Sequence, residues 1–321
     1  MTSIPHDEIE EAAAFNQRIE ERVKSGFIPD VRRAVKCEYF YKSFWRDPHF
    51  IQLYETETIN VYLRMLREFC GAQLRILDVG CGAGYVALEL ARAGHHVVGI
   101  DIAESCISIA RDTLATNPFK EGFGSLEYQV LPFRDVRGSY DVVLFSGVLH
   151  HGADPGAEIK RALELLVPNG LVLAGEPCHD RWRLNDAAQV ALIRILLSLT
   201  GHWYETFDPQ LTTDKASLEA FVSEIHEEYV NERDKDEPGQ SPHDNSSTGA
   251  EILTQLRKHL CELEYKPGFS FIYRVLGGLR GNDEVIFRIA DFLATYERLS
   301  VESGFMEPNG FFFAGRKPDS L

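Results

Sequence analysis

Residues Ile76–Tyr85 read ILDVGCGAGY, and VVGID, closing on Asp101, ends sixteen residues after Tyr85. An apolar run, Leu74 to Val79, leads into Gly80-Cys81-Gly82-Ala83-Gly84. A segment with Val86, Leu88, Leu90 and Ala91 apolar, and Glu89 and Arg92 among them, follows at once. The pattern is strand, glycine-rich turn, amphipathic helix. A second apolar strand, His96 to Ile100, then presents the acid Asp101 at its end. The unit is βαβ. Glycine has no Cβ to collide with a ligand, so the backbone of such a turn can be approached closely. An acid at the end of the second strand sits where a carboxylate accepts from the two hydroxyls of a ribose.

Two cofactor classes use this layout. The dinucleotide fingerprint is G-x-G-x-x-G, and it fails here at its last element, where Tyr85 stands. A glycine turn that closes an ordinary βα unit with no ligand is the plain alternative. The spacing D-x-G-x-G-x-G, with Asp78 two residues before Gly80, resembles motif I of the class I S-adenosylmethionine-dependent methyltransferases. Asp78 suits a cofactor with a cationic amino-acid tail, because an anion bordering the turn repels a pyrophosphate.

The resemblance continues downstream. YDVVLFS, residues 140–146, and GVLHH, residues 147–151, resemble the family's fourth strand and the loop after it. Pro155 to Val167 is then expected as a helix, and Pro168-Asn169-Gly170 as a turn into LVLAGEP, residues 171–177, the fifth strand. GFMEPNGFFFAGRKP, residues 304–318, resembles the closing hairpin, with Phe311 to Gly315 as its last strand. The match covers about 75–177 and 285–318, less than half the chain. It implies an α/β fold: a doubly wound, mostly parallel, seven-stranded Rossmann-like sheet. A helical cap (1–70), a binding core (71–177), a helical insertion before the closing hairpin (178–282) and a C-terminal part of the sheet (283–321) divide the chain.

The resemblance also implies site roles, with S-adenosylmethionine as cofactor and S-adenosylhomocysteine as product. The backbone of Gly80, Gly82 and Gly84 borders the methionine and ribose portions, with Cys81 inside the turn as a small filler. Asp78 anchors the amino end and Asp101 accepts from the ribose. Ile102 lies on one adenine face, and Leu131, with Pro132 and Phe133, flanks the ring. The family commonly places an acid before that loop; here Glu127, Tyr128 and Gln129 are the nearest residues, and Gln129 offers an amide oxygen. Ser146 lies near the methionine end. In the cap, at least one of Tyr39, Tyr41, Trp45 and Tyr54 is expected to face the ligand.

A sulfonium methyl is already electrophilic, so the protein mainly aligns the reacting atoms, an effect worth ~7–11 kcal/mol. A hydroxyl nucleophile also needs a base, for which neutral histidine is the usual choice. His150 and His151 stand at the carboxyl edge of the sheet, where ligands bind; they either act as the base or shape the loop. Glu176 is the second candidate and His179 the third. No metal is expected: Ser146-Gly147-Val148 stands where metal-dependent relatives keep carboxylates, and Cys178-His179-Asp180 are too close in sequence to converge on one ion.

Composition limits the partners. The 321 residues carry 33 Lys and Arg against 49 Asp and Glu, a net charge of −16, which argues against nucleic acid as the general partner. The start, MTSIPHDEIEEAAAF, has no apolar leader segment. The apolar stretch from Asp186 to Leu199 is broken by Gln189 and Arg194 and is shorter than the ~20 residues of a bilayer span. Six scattered cysteines show no C-x-x-C spacing and read as reduced thiols. A cytoplasmic enzyme with a small-molecule methyl acceptor, oxygen or nitrogen, is the expectation. The alternatives are a methyltransferase for protein or tRNA and a non-catalytic binder of the cofactor. Helices are expected over Arg183 to Leu199, Leu218 to Tyr229 and Ala250 to Leu263, and a polar loop over Asn231 to Gly249. This insertion reads as a lid or as a homodimer interface.

Overall fold

The computed structural model of the protein describes residues 6–37, 43–231 and 245–318. The chain begins with α1 (His6–Lys24), α2 (Pro48–Ile51) and α3 (Glu57–Phe69), the last two joined by one π-helical turn, Gln52–Thr56. Strands and helices then alternate: β1 (Arg75–Val79), α4 (Tyr85–Arg92), β2 (His96–Asp101), α5 (Glu104–Ala115), β3 (Ser125–Val130), β4 (Tyr140–Ser146), α6 (Pro155–Leu165) and β5 (Leu166–Pro177). After these come α7 (Leu184–Leu199), α8 (Lys215–Asn231), α9 (Gly249–His259), β6 (Cys261–Pro267), α10 (Asp283–Glu302) and β7 (Gly310–Arg316).

The seven strands form one sheet in the order β3-β2-β1-β4-β5-β7-β6. β1 to β5 pair in parallel, and β7 runs antiparallel to both of its neighbours. Successive side chains of a strand point to opposite faces, and here both faces are covered. Leu77, Val143, Phe145 and Val172 pack on the side of α6 and α9. Ile76, Val142, Leu144 and Leu171 pack on the side of α3 and α4. That is why β1 and β4 read as mostly apolar, Ile76, Leu77 and Val79 in the first and Val142 to Phe145 in the second. The strand order reverses between β1 and β4, which opens the crevice at their carboxyl ends.

The expected doubly wound, mostly parallel sheet is present, with its additions arranged differently from the reading above. The helix expected to Val167 stops at Leu165, and β5 begins at once; Asn169, in the left-handed region (φ 62°), lies within that strand. The helix expected over Ala250 to Leu263 stops at His259, where Leu260 turns to an extended backbone. Residues 261–267 then form β6, the sheet's edge strand. The edge pair β6 and β7 is therefore no local hairpin: α10 lies between them in the chain. The stretch 178–282 accordingly contains two core elements, α9 and β6, and the additions are two excursions, 178–248 and 268–309. They share one apolar core, with Trp182, Val190 and Tyr229 from the first and Phe271, Leu276 and Leu293 from the second. Leu192, Leu196 and Leu199 on α7 and Phe292 and Leu299 on α10 remain more than half exposed.

The N-terminal cap is pinned across the carboxyl edge of the sheet. Asn16 on α1 accepts from the Ser105 backbone N–H at the start of α5 (2.8 Å). Arg92 donates to the Asp30 carboxylate at 2.8 and 2.7 Å, with both side chains almost fully buried. The cap's apolar side, Ile19, Phe27, Trp45 and Ile51, rests on Ala83 of the glycine-rich turn and on Ala103 and Cys106. Among the described residues no helix is long and apolar enough to cross a membrane.

Candidate functional site

The turn between β1 and α4 needs glycine three times, for different reasons. Gly80, Gly82 and Gly84 all have left-handed backbones, with φ of 63°, 52° and 83°. A Cβ on Gly80 would stand 2.7 Å from Val148 Cγ2, and one on Gly84 would overlap the Tyr128 hydroxyl. A Cβ on Gly82 would meet nothing within 4 Å. Gly82 therefore borders open space, and its neighbours on either side are closed off by protein. The Asp101 carboxylate sits beside it, accepting from Gly82 N–H (2.8 Å) on one oxygen and Ala103 N–H (2.8 Å) on the other. Burial raises the Asp101 carboxyl, against the backbone N–H groups that favour its charge.

Asp78 lies beneath the same turn, 1% exposed. Its Oδ2 is buried without a hydrogen-bond partner. Burial, with the nearby Asp101 charge, pushes its carboxyl up to about 8, against a backbone N–H of Ala87 in the first turn of α4. A buried acid with an unmatched oxygen is costly unless something satisfies it. Cys81 points its side chain into the core, where Sγ would stand 3.0 Å from a Cβ on Gly99; only its backbone faces the turn.

Beyond the turn a cavity of about 380 Å³ opens over the carboxyl ends of β4 and β5. The cap supplies Trp45, Tyr54, Glu55 and Tyr62, the β4 loop supplies Ser146, His150 and His151, and the excursions supply Glu228, Phe269, Tyr273 and Arg274. On its floor, Glu176 at the end of β5 is buried and fully engaged. One oxygen accepts from Val148 N–H (3.0 Å) and Leu149 N–H (2.9 Å). The other pairs with His150 Nδ1 (2.9 Å). A carboxylate partner makes Nδ1 the protonated nitrogen, so Nε2 is the one left to take a proton. Tyr62 donates to Ser146 Oγ (3.0 Å), and its hydroxyl occupies the space that a Cβ on Gly175 would fill.

A family model described as a methyltransferase domain matches residues 51–210. This span contains the turn, Asp101, the His150–Glu176 pair and strands β1 to β5. Residues 51–210 form a class I S-adenosylmethionine-dependent methyltransferase domain. The chain is 32% identical over 151 residues to a ubiquinone biosynthesis O-methyltransferase of Acinetobacter baylyi, a match covering 44% of this chain and 60% of that protein. It thus spans less than two thirds of the curated relatives' length. Two solved structures share the fold across nearly the whole chain. Magnesium protoporphyrin IX methyltransferase from Synechocystis PCC 6803 has a TM-score of 0.51 at 14% identity, covering 97% of this chain and 100% of that one. The cyclase SpnF has a TM-score of 0.50 at 13% identity, covering 99% and 98%.

Within this methyltransferase domain the sequence-derived candidates fall into two groups. Asp78, Gly80, Gly82, Gly84, Asp101 and Ile102 gather around the turn. Ser146, His150, His151 and Glu176 gather around the cavity. Trp45 and Tyr54 line the cavity too, whereas Tyr39 and Tyr41 fall outside the described residues. Of the three residues named in β3, Tyr128 points inward and donates to the Gly84 carbonyl (2.7 Å). Alternation then puts Glu127 and Gln129 on the other face, where the Gln129 amide donates to Glu127 (2.9 Å) and keeps its oxygen free to accept. Leu131, half-buried, extends from the end of β3 beside Asp101, whose carbonyl accepts from its N–H (3.0 Å).

The three histidines separate clearly. His150 is held by Glu176, His151 is paired through Nδ1 with Glu11 on α1 (2.9 Å), and His179 is held by Asn309 (2.8 Å). Asp180 accepts from Gly249 N–H (3.0 Å) and Cys178 is buried, so Cys178, His179 and Asp180 face different neighbours. Sequence reasoning missed Glu55. It sits in the π-helical turn and is 6% exposed. A signal was available: Ile51, Glu55, Ile59, Tyr62 and Leu66 form one stripe at helical spacing, with a single acid in it.

Proposed function

We propose that the chain transfers a methyl group from S-adenosylmethionine to an oxygen or nitrogen of a small molecule held in the cavity. The observation that carries this reading is the turn, where Gly82 faces open space, the Asp101 carboxylate stands beside it, and Asp78 keeps a buried oxygen without a partner. Each of the two Asp101 oxygens bonds one backbone N–H and keeps a lone pair, enough for two ribose hydroxyls. Asp78 offers its unmatched oxygen to the cationic amino end. Backbone of Gly80, Cys81 and Gly84 completes the turn, Ile102 and Leu131 flank the adenine, Gln129 accepts from its amino group, and Ser146 meets the methionine end.

When bound, the cofactor supplies a methyl group already activated by its sulfonium charge. The chain's own residues orient the acceptor and move a proton. His150 takes the acceptor's proton at Nε2. Glu176, fixed by two backbone N–H groups, holds the imidazole in the correct tautomer and offsets the imidazolium charge. The residues supply the base themselves, so no metal enters the reading. The cap excludes water from the turn, and both excursions shape the acceptor end. The name of the Acinetobacter relative, an O-methyltransferase, supports an oxygen acceptor. Calorimetric titration tests the cofactor: S-adenosylhomocysteine binds, NAD does not, and Asp101→Ala weakens the former at least about tenfold. Tight NAD binding, or an unaltered variant, refutes it.

A further inference from the structure

Glu55 is one of three acids in the cavity wall, with Glu176 and Glu228. The other two are satisfied. Glu176 holds His150 and two backbone N–H groups, and Glu228 receives Arg194 at 2.6 and 2.9 Å. Glu55 is 6% exposed, yet its carboxyl makes no hydrogen bond or ion pair with any described residue. It is also placed by an irregularity, the π-helical turn Gln52–Thr56 set into an otherwise α-helical stretch. Such turns cost regular hydrogen bonding and recur at functional sites. A buried acid without a partner, aimed into a cavity, is a group waiting for a donor.

We infer that Glu55 is the acceptor-recognition carboxyl of this cavity and seats a basic nitrogen of the methyl acceptor. Tyr54 and Tyr62 flank it on the same helical stretch, and Trp45, Phe269 and Tyr273 line the same space. Aromatic faces beside a carboxylate are the chemistry that recognises an ammonium group, since the ring quadrupole attracts cations. A neutral hydroxyl would use the carboxyl and leave the rings unexploited. Arg22 and Arg274 also line the cavity, and Arg274 lies 3.5 Å from the Glu228 carboxylate. Among ligands, the cofactor's own cationic end is the other candidate cation, and Asp78 at the turn is proposed above for it. Burial pushes the Glu55 carboxyl up to about 8, so at neutral pH the empty cavity holds it protonated. An arriving ammonium keeps its proton, the carboxyl releases its own to solvent, and the cavity's charge is unchanged.

The ligand's role as methyl acceptor rests on the function proposed above; the cation site itself does not, and the experiment separates the two. Benzylammonium and benzyl alcohol are titrated calorimetrically into the wild-type chain and Glu55→Gln at pH 7, with and without S-adenosylhomocysteine, in two buffers of different ionisation enthalpy. A charge-assisted contact is worth a factor of about ten to a hundred in affinity. The expected result is benzylammonium preferred by at least about tenfold, with close to one proton released per molecule bound. Glu55→Gln abolishes both the preference and the release, and Glu55→Asp restores part of each. Equal binding of the two probes, or no binding of benzylammonium at millimolar concentration, overturns the inference. So does an equal loss of S-adenosylhomocysteine affinity in Glu55→Gln, which would assign Glu55 to the cofactor. Benzylammonium selectivity in a chain that never binds S-adenosylhomocysteine upholds the cation site and sinks the methyltransferase reading instead.

Discussion

Alanine at Gly82 and alanine at Gly84 should damage the protein by different routes. Both residues have left-handed backbones, φ 52° and 83°, so either alanine carries a conformational cost of about 1–2 kcal/mol. At Gly82 nothing more is added, because its Cβ would meet only open space. At Gly84 the new Cβ would overlap the Tyr128 hydroxyl and lie 2.6 Å from Tyr128 Cζ. Tyr128 is 3% exposed and its hydroxyl is anchored on the Gly84 carbonyl, so it has nowhere to swing. Overpacking adds about 1–3 kcal/mol, and the lost hydrogen bond about 1 kcal/mol more. Gly84→Ala should therefore lose about 3–6 kcal/mol and Gly82→Ala about 1–2 kcal/mol in urea unfolding followed by circular dichroism. Titration of S-adenosylhomocysteine at low temperature, where both variants are folded, should show Gly82→Ala as the weaker binder by about a hundredfold, since its methyl takes up ligand space. Equal stability losses, or unimpaired binding by Gly82→Ala, would show that the open side of Gly82 is not where the ligand lies.

Three further outcomes are expected. His150→Ala should lower kcat by about a hundredfold or more, with Glu176→Gln reproducing part of the loss; an unchanged kcat would return His150 to a loop-shaping role. Glu55 has its carboxyl raised by burial from 4.5 to about 8, so the native state binds more protons than the unfolded chain between those values. Stability is then fully present below 4.5 and lost as pH rises towards 8, by up to about 5 kcal/mol, and Glu55→Gln should remove that decline in pH-dependent unfolding; parallel curves would refute it. Burial opposes ionisation of Asp30, but its bonds to Arg92 win and hold the carboxyl below its usual 3.8. This contribution is present above that value and lost as pH falls through the lowered one, so Asp30→Asn should cost about 3–5 kcal/mol at pH 7 and its deficit should shrink in acid, read from urea unfolding.

The core was legible because its physics is local. A strand buried on both faces must be apolar throughout, a left-handed turn demands glycine, and an acid closing β2 needs no distant partner to be noticed. Ile76–Val79, the three glycines and Asp101 therefore disclosed themselves. The β6 strand did not, because an edge strand carries only half a pattern: CELEYKP alternates weakly and is exposed along much of its length, so it merged with the helix before it. The His150–Glu176 pair was half legible. Both residues could be named from their strand ends, but the choice of His150 over His151 depends on Glu11 from α1 claiming the latter, a long-range fact. Glu55 was hidden behind its neighbours: among so many aromatic residues the stripe read as packing, and its single acid drew no attention.

The two excursions explain why acceptor identity is the least legible property of this chain. Each leaves the sheet beside its carboxyl edge, after β5 and after β6, and returns to it. Their shared core, around Trp182, Tyr229 and Phe271, carries none of the sequence motifs of the turn and strands, yet it borders Tyr273 and Arg274, which line the cavity. Glu297 on α10 makes that placement rigid by accepting from three successive backbone N–H groups, Ser270, Phe271 and Ile272, at 2.6–2.9 Å. It does so although burial raises its carboxyl to about 7, a cost offset only while the loop stays where it is. The turn after β1 is built by backbone geometry, with left-handed glycines at 80, 82 and 84. The far side of the cavity is built by side chains held through buried polar contacts, and Glu55, from a third segment, lines the same space. Specificity belongs to the meeting of three chain segments that only the fold brings together.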